Sequence, residues 1–194
     1  MFEIPTSIEI GEQSLAITNK GDYRMVLDCF AAMNDIELNE EERVYSALII
    51  FYEDFNSLQD LTHFAQLNEA VKKMYWFFNC GDDTGVGANK HRKLIDWQGD
   101  QQLIASAVNK VANTEIRTLE YLHWWTFMGY YLAIGESPLA TIVGIRNKIM
   151  EGKKLEKHEQ KFRSDNPQYF IWDNKSLADK EAEEEIMSLW NSGV

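Results

Sequence analysis

The pair of residues best equipped for chemistry in this chain is Glu120 and His123, set in the stretch EYLHWWTFMGYY at 120–131. On a helix they would share a face, the E-x-x-H arrangement that carboxylate-bridged di-iron bundles use twice. Asp60-x-x-His63 reads as a second copy with Asp in place of Glu. Such a centre also needs a lone inward Glu from each of two further helices. With Asp also standing in for Glu in one motif, His123 is expected to be a hydrogen-bonded structural histidine, an E-x-x-H di-metal helical-bundle enzyme being the remote alternative. Cys29 and Cys80 are the only cysteines and form no C-x-x-C pair. With no histidine close in sequence to activate them, they are expected to be small core hydrophobes in a reducing compartment. Ser106 and Ser137 lie in no strand-turn-helix elbow. The glycine-rich run GDDTGVGANKHRKLI at 81–95 lacks the Gly-Lys pair of a phosphate loop. It has Lys90 where a dinucleotide loop requires its third glycine, and it does not match the calcium-loop spacing. A connector is the expectation there. No catalytic, cofactor-binding or metal-ligating residue is assigned, and the protein is expected not to be an enzyme.

The elements that would position these residues are mostly helical. Ile8, Ile10, Leu15 and Ile17 flank Gly11-Glu12-Gln13-Ser14, the pattern of a β-hairpin with an irregular four-residue turn. From Met25 the period lengthens: Met25, Val26, Cys29, Phe30 and Met33 share one helix face. Asn39 with Glu42 predicts a capping box for a second helix, lined by Val44, Ala47, Leu48, Phe51 and Phe55. Leu58, Leu61, Phe64, Ala65, Val71, Tyr75 and Phe78 mark a third. Beyond the glycine-rich run, Leu103, Ile104, Ala107, Val108 and Val111 form one face, and Ile116, Leu119, Leu122, Trp125 and Met128 another. Ser137-Pro138 caps a further run with Leu139, Ile142, Val143, Arg146 and Ile149. Trp124, Trp125, Phe127, Tyr130 and Tyr131 point to all sides of their helix, which predicts a central helix buried on several faces. From Asn174 to Trp190 an acidic run accompanies a narrow stripe of Leu177, Ile186, Leu189 and Trp190, as in a docking helix. The expected fold is mainly α: an N-terminal hairpin and three helices over 1–80, a Gly/Asp linker over 81–95, and a helical half with an acidic tail helix over 96–194.

Charge narrows the partners. The chain of 194 residues has a formal net charge of −12, and residues 1–80 carry 5 basic against 14 acidic side chains. Such a surface repels phosphate backbones, so nucleic-acid binding is not expected. Lys153, Lys154, Lys157, Lys161 and Arg163 are interleaved with Glu151, Glu156 and Glu159, the pattern of a solvated helix face. The apolar run from Trp124 to Ile134 is broken by Thr126 and Gly129 and falls short of the roughly 20 residues a spanning helix needs, so no membrane segment is expected. No basic region precedes an apolar run at MFEIPT, which does not support a signal peptide. The 12% aromatic share argues for a folded chain.

Ile95-Asp96-Trp97-Gln98-Gly99-Asp100, then Leu122-His123-Trp124-Trp125-Thr126-Phe127, then Ile145-Arg146 together resemble the bacteriophage gene-product-fifteen family, encoded in the tail-gene region of phages and prophages of Gram-positive hosts. Ile8-Glu9-Ile10-Gly11 with Asp22-Tyr23-Arg24 fits that family's opening, so the likeness extends over most of residues 8–160. Leu-His-Trp-Trp-x-Phe is its most specific piece. Asp96, Asp100, Leu122, His123, Trp124, Trp125, Phe127 and Arg146 would form the structural core of this motif. The resemblance implies a tail-morphogenesis protein, by gene position a tail assembly chaperone holding the tape-measure protein, the tail tube subunit or both in the host cytoplasm. It brings no catalytic residues with it. The alternative is a minor component retained in the finished tail. The acidic first half and the tail residues Ile186, Leu189 and Trp190 are the expected partner surface, and self-association is a further expected contact. Met25, Met33, Met74 and Met128 could adapt such a groove, although methionines at helical spacing belong more often to a core.

Overall fold

In a computed structural model of the chain, residues 3–55, 64–82 and 94–170 are described. Those up to Ala140 form one compact unit and those from Thr141 a second. Most of the proposed linker, residues 83–93 of 81–95, and the proposed tail helix from Asn174 to Trp190 lie outside the described residues, as do Asp60 and His63. The boundary between these compact units stands at Ala140/Thr141. Residues on either side of the glycine-rich run share one core: the Trp124 indole N–H donates to the Phe78 carbonyl at 3.0 Å, and Trp97 packs against Phe30.

Alternation sets the hairpin. Ile8, Ile10 and Leu15 turn inward while Ser7, Glu9, Ser14 and Ala16 face solvent, as a period of two requires. Strand β1 (Ser7–Ile10) pairs antiparallel with β2 (Gln13–Ala16), with Ile10 opposite Gln13. The turn is therefore Gly11-Glu12, two residues rather than the expected four. Gly11 at φ +57° supplies the left-handed conformation that a tight hairpin favours.

Seven helices follow among the described residues: α1 (Tyr23–Met33), α2 (Glu40–Phe51), α3 (Phe64–Phe78), α4 (Gln101–Ala112), α5 (Trp124–Leu132), α6 (Pro138–Met150) and α7 (Lys157–Asp165). Local chemistry starts several of them. At α2 the Asn39 side chain accepts from the Glu42 N–H at 3.0 Å and the Glu42 carboxylate from the Asn39 N–H at 2.9 Å, so the predicted capping box is present. The Ser137 hydroxyl accepts from the Ala140 N–H at 3.1 Å, one residue ahead of Pro138, again as read. The Glu156 and Glu159 pair does the same for α7. None of the helices is long and apolar enough to cross a membrane.

The core of the first unit is built from the inward faces of α1, α2 and α3. Val26, Cys29, Ala47, Phe51, Ala70, Met74 and Phe77 are fully enclosed. Phe51 meets Phe77 and Phe78 edge to face at 5.3 and 5.6 Å, the geometry that ring quadrupoles prefer. Met25 and Met74 are core residues, and Met33 and Met128 are half-buried. Cys29 meets the core expectation. Cys80 does not: it is half-buried, in the turn just past α3, at φ +56°. In the second unit, Arg146 on α6 donates from Nε and Nη2 to the Tyr169 carbonyl at 2.9 and 2.7 Å. Lys148 reaches Glu159 at 2.7 Å, and Lys153 reaches Glu151, so acidic residues of the interleaved run hold cations there.

Candidate functional site

The motif residues of the first unit converge where the start of α1 meets the start of α5. Asp22 caps α1, its Oδ1 accepting from the Arg24 N–H at 2.9 Å. Its other oxygen, Oδ2, accepts the Leu122 N–H at 2.9 Å, and the Tyr23 N–H donates back to the Leu122 carbonyl at 2.9 Å. Asp22 and His123 thereby form an isolated antiparallel bridge. Arg24 closes the loop from outside, donating to the carbonyls of Leu119 and Glu120 while its Nη1 lies 3.4 Å from Asp22.

This clasp explains why Ile116–Met128 is not the single helix that its apolar spacing suggests. Only Ile116–Thr118 makes a short 3₁₀ turn, the chain then extends through Leu122, and α5 begins at Trp124. The Asp22 carboxylate and Tyr23 amide take the Leu122 backbone groups that a continuous helix would have used. Glu120 and His123 consequently do not share a helix face. Glu120 is an exposed loop residue, and its part in the clasp is played by its carbonyl.

His123 is almost fully enclosed, and both ring nitrogens are engaged by the protein. Nδ1 accepts the Trp125 N–H at 3.0 Å, so the histidine is the N-cap of α5. Nε2 lies 3.0 Å from the Pro5 carbonyl. An accepting Nδ1 and a donating Nε2 define the neutral tautomer with its proton on Nε2. Burial pushes the His123 pKa below its ordinary value, with the Pro5 hydrogen bond and the Asp22 charge pulling the other way. Gly21 permits this approach: at φ +79° a Cβ there would lie 2.6 Å from Phe77 Cζ and 3.0 Å from His123 Nε2.

A neutral His123 has a sign-definite consequence for stability. Because its folded pKa lies below the unfolded value of about 6.5, the unfolded chain binds the proton first as pH falls. The contribution is complete above about pH 6.5 and is lost as pH drops through the folded pKa. Urea midpoints at pH 7.5 and 5.5 should fall more for the native chain than for His123→Asn, which can still cap α5 but cannot protonate. Equal falls would show that His123 carries no such linkage.

The two tryptophans tie α5 to the end of α3. Trp124 donates to Phe78 and Trp125 to the Phe77 carbonyl at 2.9 Å. Tyr23 stacks on Phe127 with centroids 4.8 Å apart, and Trp97 lies against Trp124, Phe127 and Tyr131. Of the helix expected to be buried on several faces, Trp124 and Phe127 are enclosed, Trp125, Tyr130 and Tyr131 half-buried, and Thr126, Gly129 and Leu132 exposed.

Asp96 and Asp100 build the approach to α4. Asp96 Oδ1 accepts the N–H groups of Gln98 and Gly99 at 3.1 and 2.8 Å. The buried Asp100 accepts the Asp96 N–H through Oδ2 at 3.1 Å. A Cβ on Gly99 would meet Asp96 Oδ2 at 2.5 Å, which accounts for glycine within the Asp-Trp-Gln-Gly-Asp run. Arg146 belongs to the second unit, as described above. Ile186, Leu189 and Trp190 lie outside the described residues. Sequence reasoning missed Pro5, Gly21, Phe77 and Phe78 as partners of the motif. Three of them act through backbone carbonyls and the fourth through the absence of a side chain, so residue type carried little signal.

What the arrangement does chemically is hold the chain together. Burial pushes the Cys29 thiol up to about 12 and the Cys80 thiol up to about 11, far from the thiolate a nucleophile needs. Among the described residues no three His, Cys, Asp or Glu side chains are grouped as a metal site would require.

No curated protein and no solved structure matches the chain. The model of the family described as "Bacteriophage Gp15 protein" matches residues 2–169, which takes in the hairpin, the Asp22 clasp, the Asp-Trp-Gln-Gly-Asp turn, the tryptophan pair and Arg146. The chain belongs to the bacteriophage Gp15 protein family.

Proposed function

We propose that this phage protein is a non-enzymatic tail assembly chaperone that holds the tape-measure protein, the tail tube subunit or both before they are incorporated. The observation that carries the reading is the use made of the motif: Asp22, His123, Trp124 and Trp125 direct their polar atoms to backbone groups of the same chain. The motif thus serves to keep one scaffold in shape, and binding falls to its outer faces. Those faces suit reversible capture of apolar segments on a charged body. Ile36, Tyr45 and Ile49 are exposed on and before α2, whose first turn bears Glu40, Glu41 and Glu42.

Co-expression with the neighbouring tape-measure protein tests the proposal. The two should co-elute in size-exclusion chromatography with light scattering, and the tape measure should become soluble. Leu189→Asp with Trp190→Ser should weaken that complex if the tail contributes to the surface. A tape measure that precipitates alone, with this protein present in purified virions at fixed copy number, would instead make it a retained tail component.

A further inference from the structure

We propose that the outer edge of β2 is a docking site for an extended, basic segment of a partner protein, added as a third strand to the hairpin. Register fixes which backbone groups are available. The Ile17 N–H donates to the Thr6 carbonyl, which makes Thr6–Ile17, Ile8–Leu15 and Ile10–Gln13 the hydrogen-bonded pairs of the ladder. Ser7–Ala16 and Glu9–Ser14 are the non-bonded pairs, so the N–H and C=O of Ser14 and Ala16 point away from β1. The Ala16 carbonyl accepts the Glu53 N–H at 3.1 Å. Among the described residues nothing pairs with the Ser14 N–H, the Ser14 carbonyl or the Ala16 N–H.

Proteins blunt such an edge by keeping the strand short or with lysine, proline or a bulge. β2 is short, at four residues, but Gln13-Ser14-Leu15-Ala16 has no lysine or proline, and its outward side chains are small. A groove runs along it, lined by Gln13, Ser14, Leu15, Ala16 and Asp54. Charge selects the occupant. Residues 3–19 contain Glu3, Glu9 and Glu12 and no Lys or Arg, and Glu53 and Asp54 follow the strand-like bridge at Tyr52. A second copy of this chain would set acid against acid, whereas an extended segment with alternating Lys or Arg would pair its main chain with Ser14 and Ala16 and its cations with these carboxylates. The groove shares no residue with Ile36, Tyr45 and Ile49 on and before α2, so its failure would leave the co-expression result unaffected.

The test uses the full chain and a capped octapeptide of alternating valine and lysine, followed by fluorescence anisotropy and by amide shifts in ¹⁵N spectra. Binding should weaken with salt, shift the Ser14 and Ala16 amides, and be absent for the valine–glutamate peptide. Ser14→Pro removes only an outward N–H, keeps the hairpin's own ladder, and should weaken binding at least tenfold. Glu12→Lys with Glu53→Lys, both exposed positions, should do the same without touching the strand. Undiminished binding to Ser14→Pro, or shifts confined to other acidic surfaces, would reduce the effect to general charge attraction and overturn the proposal. A native dimer that Ser14→Pro converts to monomer would overturn the choice of occupant in favour of a second copy.

Discussion

Trp124→Ala is expected to destabilise the first unit by about 3–5 kcal/mol, the range for deleting a large buried aromatic side chain. The indole is 1% exposed and is enclosed by Phe30, Trp97 and Phe127, so the cavity it leaves is bounded by rigid rings that collapse poorly. Its removal also leaves the Phe78 carbonyl without the Nε1 donor. A total of about 5–15 kcal/mol for a domain makes this loss a large share of the whole. Urea denaturation followed by circular dichroism measures it, and Trp125→Ala is the comparison. Trp125 makes an equivalent hydrogen bond but is only half-buried. Its replacement should therefore matter less, and equal losses would show that the hydrogen bonds, not the packing, dominate.

Asp22→Ala should be next in size, at about 3 kcal/mol. Two effects combine: loss of the α1 N-cap, about 0.5–2 kcal/mol, and an orphaned buried N–H at Leu122, about 1–3 kcal/mol. The Asp22–Arg24 ion pair adds little, because Arg24 is 40% exposed and solvent screens it. Asp22→Asn keeps an acceptor for the cap and should fall between the native chain and Asp22→Ala. A change within about 0.5 kcal/mol for Asp22→Ala, the scale of an ordinary surface substitution, would mean that the clasp contributes nothing to stability.

These two residues also mark where sequence reasoning held and where it stopped. The capping box at Asn39 and Glu42, the Ser137-Pro138 start and the inward faces of α1 and α2 were legible because each depends on residues within a turn or two of one another. The Ile116–Met128 segment was misread because its apolar spacing is compatible with a helix, while the groups that interrupt it, the Asp22 carboxylate and the Tyr23 amide, come from the other end of the chain. The hairpin turn was read two residues too long because Ser14 and Gln13 are as acceptable in a turn as in a short exposed strand. As for the site, His123 was correctly read as a hydrogen-bonded structural residue, yet its partners Pro5 and Trp125 act through backbone atoms that no side-chain pattern announces.

The clasp has a further consequence in time. Asp22 and Leu122 are separated by 100 positions, and Pro5 and His123 by 118. At about 5–20 residues per second a ribosome needs about 5–24 s to deliver the second half of each contact after the first. During that interval α1 and α2 can pair as a local hairpin of helices. Phe30 already has Phe78 and Trp97 to pack against, but Tyr23, which later stacks on Phe127, has no such ring to cover it. Every nascent copy therefore passes through a stage with Tyr23 uncovered, and that stage ends only when Phe127, just past the tryptophan pair, has been made.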